Sequence, residues 1–265
     1  MNVTTLMYHD VVEPAEFSGS GFCGSDANSY KITFTDFLSH IVALNSTRRP
    51  CVTVTDVFGS PLIPGFLLTF DDGGASAMRI ADTLDSHAMR GHFFVSTNYL
   101  DTPGFLQSTD VTELFKRGHI IGSHSASHPK SMNQCPPQQI YEEWHESLQR
   151  LSSLLGHKTE IGSIPNGSYS RTVVEAAERA GMRSLFTSEP TTKAFSVGKC
   201  HVFGRFTIRR QTSPHVVIGL TLGIGRQRVR QWLTWNTRKI AKRYLGHSYD
   251  RIRRHYFETL LRQNS

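Results

Sequence analysis

Residues 67–74 read Leu-Leu-Thr-Phe-Asp-Asp-Gly-Gly. An apolar run that stops on two adjacent carboxylates is costly, because like charges repel and a buried carboxylate needs a cation or donors. The pair can be read as a helix cap or as a solvated Asp-Gly turn. It can also be read as a metal site, where one Asp binds a cation and its neighbour does something else. The preceding residues, Phe66 to Phe70, read as a buried strand. The two carboxylates therefore stand where a strand ends, the position at which α/β folds gather function.

Working outward, short apolar runs alternate with segments of helical spacing. Residues 3–7, 66–70, 92–95, 119–122, 161–164, 184–187 and 206–209 read as strands, and 52–54 as a short extended piece. Residues 35–44, 76–87, 110–117, 137–155 and 171–180 read as helices. Strictly alternating elements imply an α/β fold with a parallel sheet, as an open sheet or a nearly closed barrel.

The 265 residues suffice for one large domain. No apolar run approaches the roughly 18 residues that span a bilayer, and the first ten residues lack the pattern of a secretory signal. A cytoplasmic location is the expectation. Cys23, Cys51, Cys135 and Cys200 are widely spaced and read as free thiols. The net charge of +7 is unevenly placed: residues 226–265 hold 11 Lys and Arg against 2 Asp and Glu, leaving 18 against 20 in the first 225. The chain divides on this basis into a body, 1–225, and a basic tail, 226–265. Val229, Trp232, Leu233, Ile240 and Tyr244 recur in the tail at helical spacing. It reads as an amphipathic basic helix, packed on the body or lying on an anionic membrane surface; nucleic acid is disfavoured.

A second cluster of donors lies at Gly122-Ser-His-Ser-Ala-Ser-His-Pro129. On a helical turn, the spacing of His124 and His128 puts both imidazoles on one face. With one carboxylate they suit zinc, and also cobalt, nickel or iron. Two histidines and a carboxylate also make the facial triad of iron(II) oxygenases, though a second Asp is then superfluous.

These motifs carry a resemblance. Thr69-Phe-Asp-Asp-Gly73 and His124-Ser-Ala-Ser-His-Pro129 resemble the first two motifs of the polysaccharide deacetylases, the NodB-homology group of carbohydrate esterase family 4. Leu6-Met-Tyr-His-Asp-Val-Val12, Gly91-His-Phe-Phe-Val-Ser96, Arg117-Gly-His-Ile-Ile-Gly-Ser-His124 and Pro165-Asn-Gly-Ser-Tyr-Ser170 follow in the family's order. The resemblance spans roughly residues 3–210. It implies a distorted (β/α) barrel of about seven strands and a divalent metal. It also implies hydrolysis of acetyl groups, N-acetyl before O-acetyl, from a carbohydrate such as an N-acetylhexosamine polymer or its precursor. By the same resemblance Asp72, His124 and His128 match the metal ligands. Asp71 matches the base that takes a proton from water, and backbone N–H groups near Pro165 to Gly167 are candidates to steady the oxyanion. Ser125 is expected to orient the loop between the histidines.

Two family features are missing. Ser163 stands near where an Arg commonly supports the base, so Arg205 or Arg209 is the candidate replacement. The late His that acts as acid has no counterpart, since the stretch around His215 does not fit. His9, at the end of the first strand, is the candidate helper. His40, His87, His145, His157 and His247 read as surface or helix-face residues. A glycan-binding relative without catalysis is the alternative function.

Overall fold

The computed structural model of the protein describes residues 2–59 and 65–245. Its strands are β1 Thr4–Tyr8, β2 Val11–Val12, β3 Ile32–Thr33, β4 Phe66–Phe70, β5 Gly91–Val95, β6 Ile120–Ser123, β7 Ile161–Ser163, β8 Ser184–Phe186, β9 Phe195–Val197, β10 Cys200–Phe203 and β11 Phe206–Thr207. Its helices are α1 Ser25–Asn28, α2 Phe34–Ser46, α3 Val54–Gly59, α4 Ala77–Ser86, α5 Ser108–Lys116, α6 Pro137–Leu155, α7 Arg171–Ala180, α8 Pro214–Leu222 and α9 Gln227–Leu245. The main sheet runs β11-β1-β4-β5-β6-β7-β8-β10-β9, and every pairing is parallel except β10 with β9. The parallel α/β expectation holds, with nine strands in this sheet among the described residues where about seven were expected: the two further ones are the short parallel β10 and the antiparallel β9 beside it.

The ends of this curled sheet come together. β10 and β11 lie near opposite ends of the strand order, yet only Gly204 and Arg205 separate them in the chain. Two further links cross the seam: Asn2 forms an antiparallel bridge with Lys193, and the Val3 amide donates to the Thr192 carbonyl at 2.9 Å.

Strand alternation sorts the side chains. Phe66, Leu68 and Phe70 of β4 and Phe93 and Val95 of β5 face the helices and pack with α2 and α4 residues in one core. Leu67, Phe94, Phe186 and Phe203 point to the other side and fill the barrel. A third cluster places Trp144 of α6 against Val173 and Val174 of α7. Helix ends follow local chemistry. The Ser170 hydroxyl accepts from the Val173 amide to cap α7, and Gly156 and Gly181 take left-handed backbone conformations where α6 and α7 stop.

The barrel is tight at β6. A Cβ on Gly122 would lie 2.7 Å from the Phe94 ring and 2.9 Å from the Ile161 carbonyl oxygen. Gly122→Ala is therefore expected to cost about 1–3 kcal/mol, read as a lower urea midpoint with an unchanged slope.

Two local readings are corrected. The extended piece read at 52–54 ends earlier: Cys51 bridges to Phe66 and the Val52 amide donates to the Phe66 carbonyl, but Val54 already opens α3. His40 lies on α2 but is buried rather than on the surface, with its Nε2 2.7 Å from the Thr212 carbonyl oxygen. His247 lies outside the described residues. The four cysteines are free.

Candidate active site

Asp71 continues the inward alternation of Leu67 and Thr69, so its carboxylate enters the barrel. Asp72 breaks that alternation. Its φ is +80°, a value that L residues rarely take, and Gly73 follows at the same φ. The reversal turns the second carboxylate onto the rim, away from the first. Adjacent residues thereby gain different partners.

Asp71 meets Arg205, which sits in the seam and is fully buried. Arg205 Nη1 donates to Asp71 Oδ1 at 2.6 Å and Nη2 to Oδ2 at 2.8 Å. Its other N–H groups reach the Thr69 hydroxyl at 3.2 Å, the Ser163 hydroxyl at 2.8 Å and the Thr187 carbonyl at 2.9 Å. All five donors of the guanidinium are thus used, the condition under which a buried charge is tolerated. Ser163 turns its own hydroxyl towards Asp71, at 3.2 and 3.3 Å from the two oxygens. Burial would raise the Asp71 pKa, but the Arg205 charge, with His124 adding to it, holds the carboxyl below its ordinary value.

Asp72 meets the histidines. Its Oδ1 lies 3.4 Å from His124 Nε2 and 3.5 Å from His128 Nε2. The three ligand atoms lie within 4.8 Å of one another. Burial opposes its charge, yet the two imidazoles keep Asp72 well below the usual carboxylate range. His124 Nδ1 is 3.0 Å from the Ser163 carbonyl oxygen. That oxygen can only accept, so Nδ1 carries a proton, and Nε2, the nitrogen turned to Asp72, is the one left to ligate a cation. The donor set thus fits a divalent cation: two imidazole nitrogens, one of them fixed in the binding tautomer, and a carboxylate oxygen.

The histidines do not converge on a helix, as their spacing suggests. Residues 124–129 form a bend in which Ser125 and His128 have φ of +65° and +57°. Ser125 Oγ accepts from the His128 amide at 3.0 Å, and Glu143 accepts from the Ser127 amide at 2.8 Å and from the Ser127 hydroxyl. On the outer side Phe22 packs on the His128 ring, with centroids 4.5 Å apart.

His9 follows β1 on the same rim. Its Nδ1 is buried with no hydrogen-bond partner among the described residues. Burial lowers its pKa while Asp72 and Asp71 pull it up. Arg209 goes elsewhere: it donates to the Tyr30 hydroxyl at 2.8 Å. Tyr30 in turn packs against His9, with centroids 4.7 Å apart.

Two contributors were missed in the sequence. In the sequence Ser163 reads only as the residue standing in for an Arg, whereas it touches Asp71 and Arg205 with its side chain and His124 with its carbonyl. Asp10 directly follows His9 and is buried; its Oδ1 accepts from Ser20 at 2.6 Å and from Ser76 at 2.9 Å. Burial pushes its pKa up to about 6, against the pull of those hydroxyls. Asp10 ties the 13–29 loop, which carries Phe22, to the start of α4. Its place in Tyr8-His9-Asp10 was the available signal.

The chain is similar to several known proteins. Residues 63–185 match the model of the polysaccharide deacetylase family. An uncharacterized 30.6 kDa protein of Geobacillus stearothermophilus is 32% identical over 133 residues, covering 49% of this chain and 48% of that protein. The peptidoglycan-N-acetylmuramic acid deacetylase of Bacillus subtilis is 29% identical over 128 residues, 46% of this chain and 45% of the enzyme. The chain thus spans about half the length of these relatives. A polysaccharide deacetylase from Bacillus cereus shares the fold with a TM-score of 0.71 at 17% identity, over 83% of this chain and 69% of that one. The matched segment holds both aspartates, both histidines and Ser163, and over that segment the chain is similar to the polysaccharide deacetylase family.

Proposed function

We propose that the protein removes acetyl groups from an acetylated carbohydrate by metal-dependent hydrolysis. N-acetyl groups of a hexosamine polymer or its precursor are the substrate class. The observation that carries this reading is the divergence of the two adjacent carboxylates. Asp72 faces two imidazoles, while Asp71 faces Arg205 and Ser163.

In this reading Asp72, His124 and His128 hold a divalent cation, most simply zinc. Bound there, the cation supplies a Lewis acid that polarises the acetyl carbonyl and makes water more acidic. Asp71 is the base. Arg205 keeps it ionised across the neutral range and fixes its plane through two parallel hydrogen bonds. Ser163 restrains it from a third side and, through its carbonyl, keeps the His124 proton on Nδ1. In the short turn Pro165–Gly167, Pro165 has no N–H and the Gly167 amide donates to the Ile164 carbonyl at 3.3 Å, so the Asn166 N–H is the candidate donor to the developing oxyanion. His9 is neutral near pH 7, its pKa lowered by burial, and is the proposed relay that takes up the proton Asp71 removes from water and passes it to the leaving amine. An iron(II) oxygenase reading leaves the Asp71–Arg205 pair without a purpose.

The direct test pairs metal content with turnover. The wild type, incubated with zinc and desalted, is expected to hold about one ion per chain by elemental analysis. Asp72→Ala is expected to hold almost none. Acetate release from oligomers of N-acetylglucosamine should require the metal and stop with a chelator. A metal-replete protein that releases no acetate from N-acetylated or O-acetylated glycans would instead be a glycan-binding relative.

A further inference from the structure

Helix α9 docks on the body in an unusual way. Arg228 donates to the Leu220 and Thr221 carbonyls at 2.8 and 3.1 Å and to the Thr4 hydroxyl at 2.8 Å. Gln231 Nε2 donates to the Thr207 carbonyl at 2.8 Å, and its Oε1 accepts the Thr207 amide at 3.1 Å. The α9 side chains that bond to the body are therefore polar, with the half-buried Trp235 between them on that face. The apolar residues point outward: Val229, Trp232, Leu233 and Ile240 are 57%, 48%, 51% and 57% exposed. At 100° per residue these four fall within one stripe about 100° wide. Arg226, Arg230 and Lys239 flank it, and Lys239 lies 4.8 Å from the Trp235 ring. Ordinary surface helices bury the apolar stripe and expose the charges. Here the stripe and the flanking charges are both presented to the outside.

We propose that this face of α9 seats on an anionic lipid surface, with the stripe in the interfacial layer and the cations on the headgroups. Charge selects this occupant over a second copy of the chain. Residues 226–265 carry 11 basic against 2 acidic residues, so two such faces would repel, whereas an anionic headgroup layer attracts each cation near it. Among the described residues no helix is long and apolar enough to cross a membrane, which matches a helix that lies on the surface rather than spanning it. The direction of α9 adds a consequence. Arg228 reaches Thr4 at the start of β1, and Gln231 grips Thr207, which pairs with Met7 near the end of β1. The helix therefore climbs towards the strand ends that carry Asp71 and Asp72. A lipid surface under its distal turns would lie on the side of the molecule where the candidate site opens.

The test uses the full chain and co-sedimentation with phosphatidylcholine vesicles, alone or with about one third phosphatidylglycerol. The wild type is expected to bind the anionic vesicles only, and less at high salt. Trp232→Ser/Leu233→Ser should weaken that binding about tenfold or more without changing the thermal midpoint. Val42→Ser removes another apolar side chain, 56% exposed on α2, and should bind like the wild type. Three results would overturn the proposal. One is equal sedimentation of the wild type and the double variant. Another is loss of binding by Val42→Ser as well. The third is light scattering that shows a wild-type dimer which the double variant splits into monomers. None of these readouts depends on deacetylase activity.

Discussion

Asp71→Asn is expected to lower kcat for acetate release by about 10²–10⁴-fold while metal content stays at the wild-type level. The size follows from the loss of a positioned base. Asparagine keeps the shape and one acceptor oxygen, and it lies outside the Asp72, His124 and His128 group, so the cation should remain. Arg205 is then left buried against a neutral amide. Part of the roughly 3–5 kcal/mol cost of breaking a buried ion pair should therefore appear as a lower thermal midpoint. Activity is accordingly measured well below that midpoint, alongside elemental analysis. Acetate release close to the wild-type rate in Asp71→Asn would remove Asp71 as the base.

Arg205→Met carries the second large effect, on stability and on pH dependence together. Removing a guanidinium whose five donors are all bonded leaves the Asp71 carboxylate buried beside a thioether, at a cost of about 3–5 kcal/mol. In the wild type the folded Asp71 pKa lies below the ordinary value near 3.8. The pair therefore contributes stability above that pH, and the contribution is lost as pH falls through the folded value. The gap in urea midpoint between wild type and Arg205→Met is thus expected to be widest at neutral pH and to shrink below about pH 4. Without Arg205, burial becomes the dominant influence on Asp71 and raises its pKa. The acid limb of kcat/KM should then move to higher pH, because more of the base is protonated at a given pH. Arg205→Lys keeps the charge but loses the two-pronged contact, and should show a smaller move in the same direction. An acid limb that stays in place in both variants would mean that Arg205 only braces the seam.

The two predictions locate what was readable in the residues alone. Phe66–Phe70 was identified to the residue, as were α6 and α7, because long apolar periodicity and clear stop signals fix such elements locally. The short strands β9 and β10 were missed. Three or four residues carry little periodicity, and their pairing is decided by the sheet they join. The spacing of His124 and His128 was noticed, but a helix was the wrong carrier. The left-handed turns at Ser125 and His128 depend on contacts with residues remote in the chain, including Glu143 on α6.

By itself the sequence determined the alternation of strands and helices, the strand-terminal Asp71-Asp72 pair, the pairing of His124 with His128, and the basic apolar-striped character of the tail. These are properties of spacing and side-chain type, which local physics reads directly. Only the tertiary structure decided that the two aspartates part company, because that rests on one left-handed residue and on an arginine 134 positions later. Arg205 reaches Asp71 because the curled sheet brings its two ends together, and no local pattern encodes that meeting. The same holds for the Ser163 carbonyl on His124: a backbone oxygen has no signature in the sequence until the fold places an imidazole against it. The outward stripe of α9 is likewise a tertiary fact, since periodicity shows that a helix has two faces but not which of them the body will take.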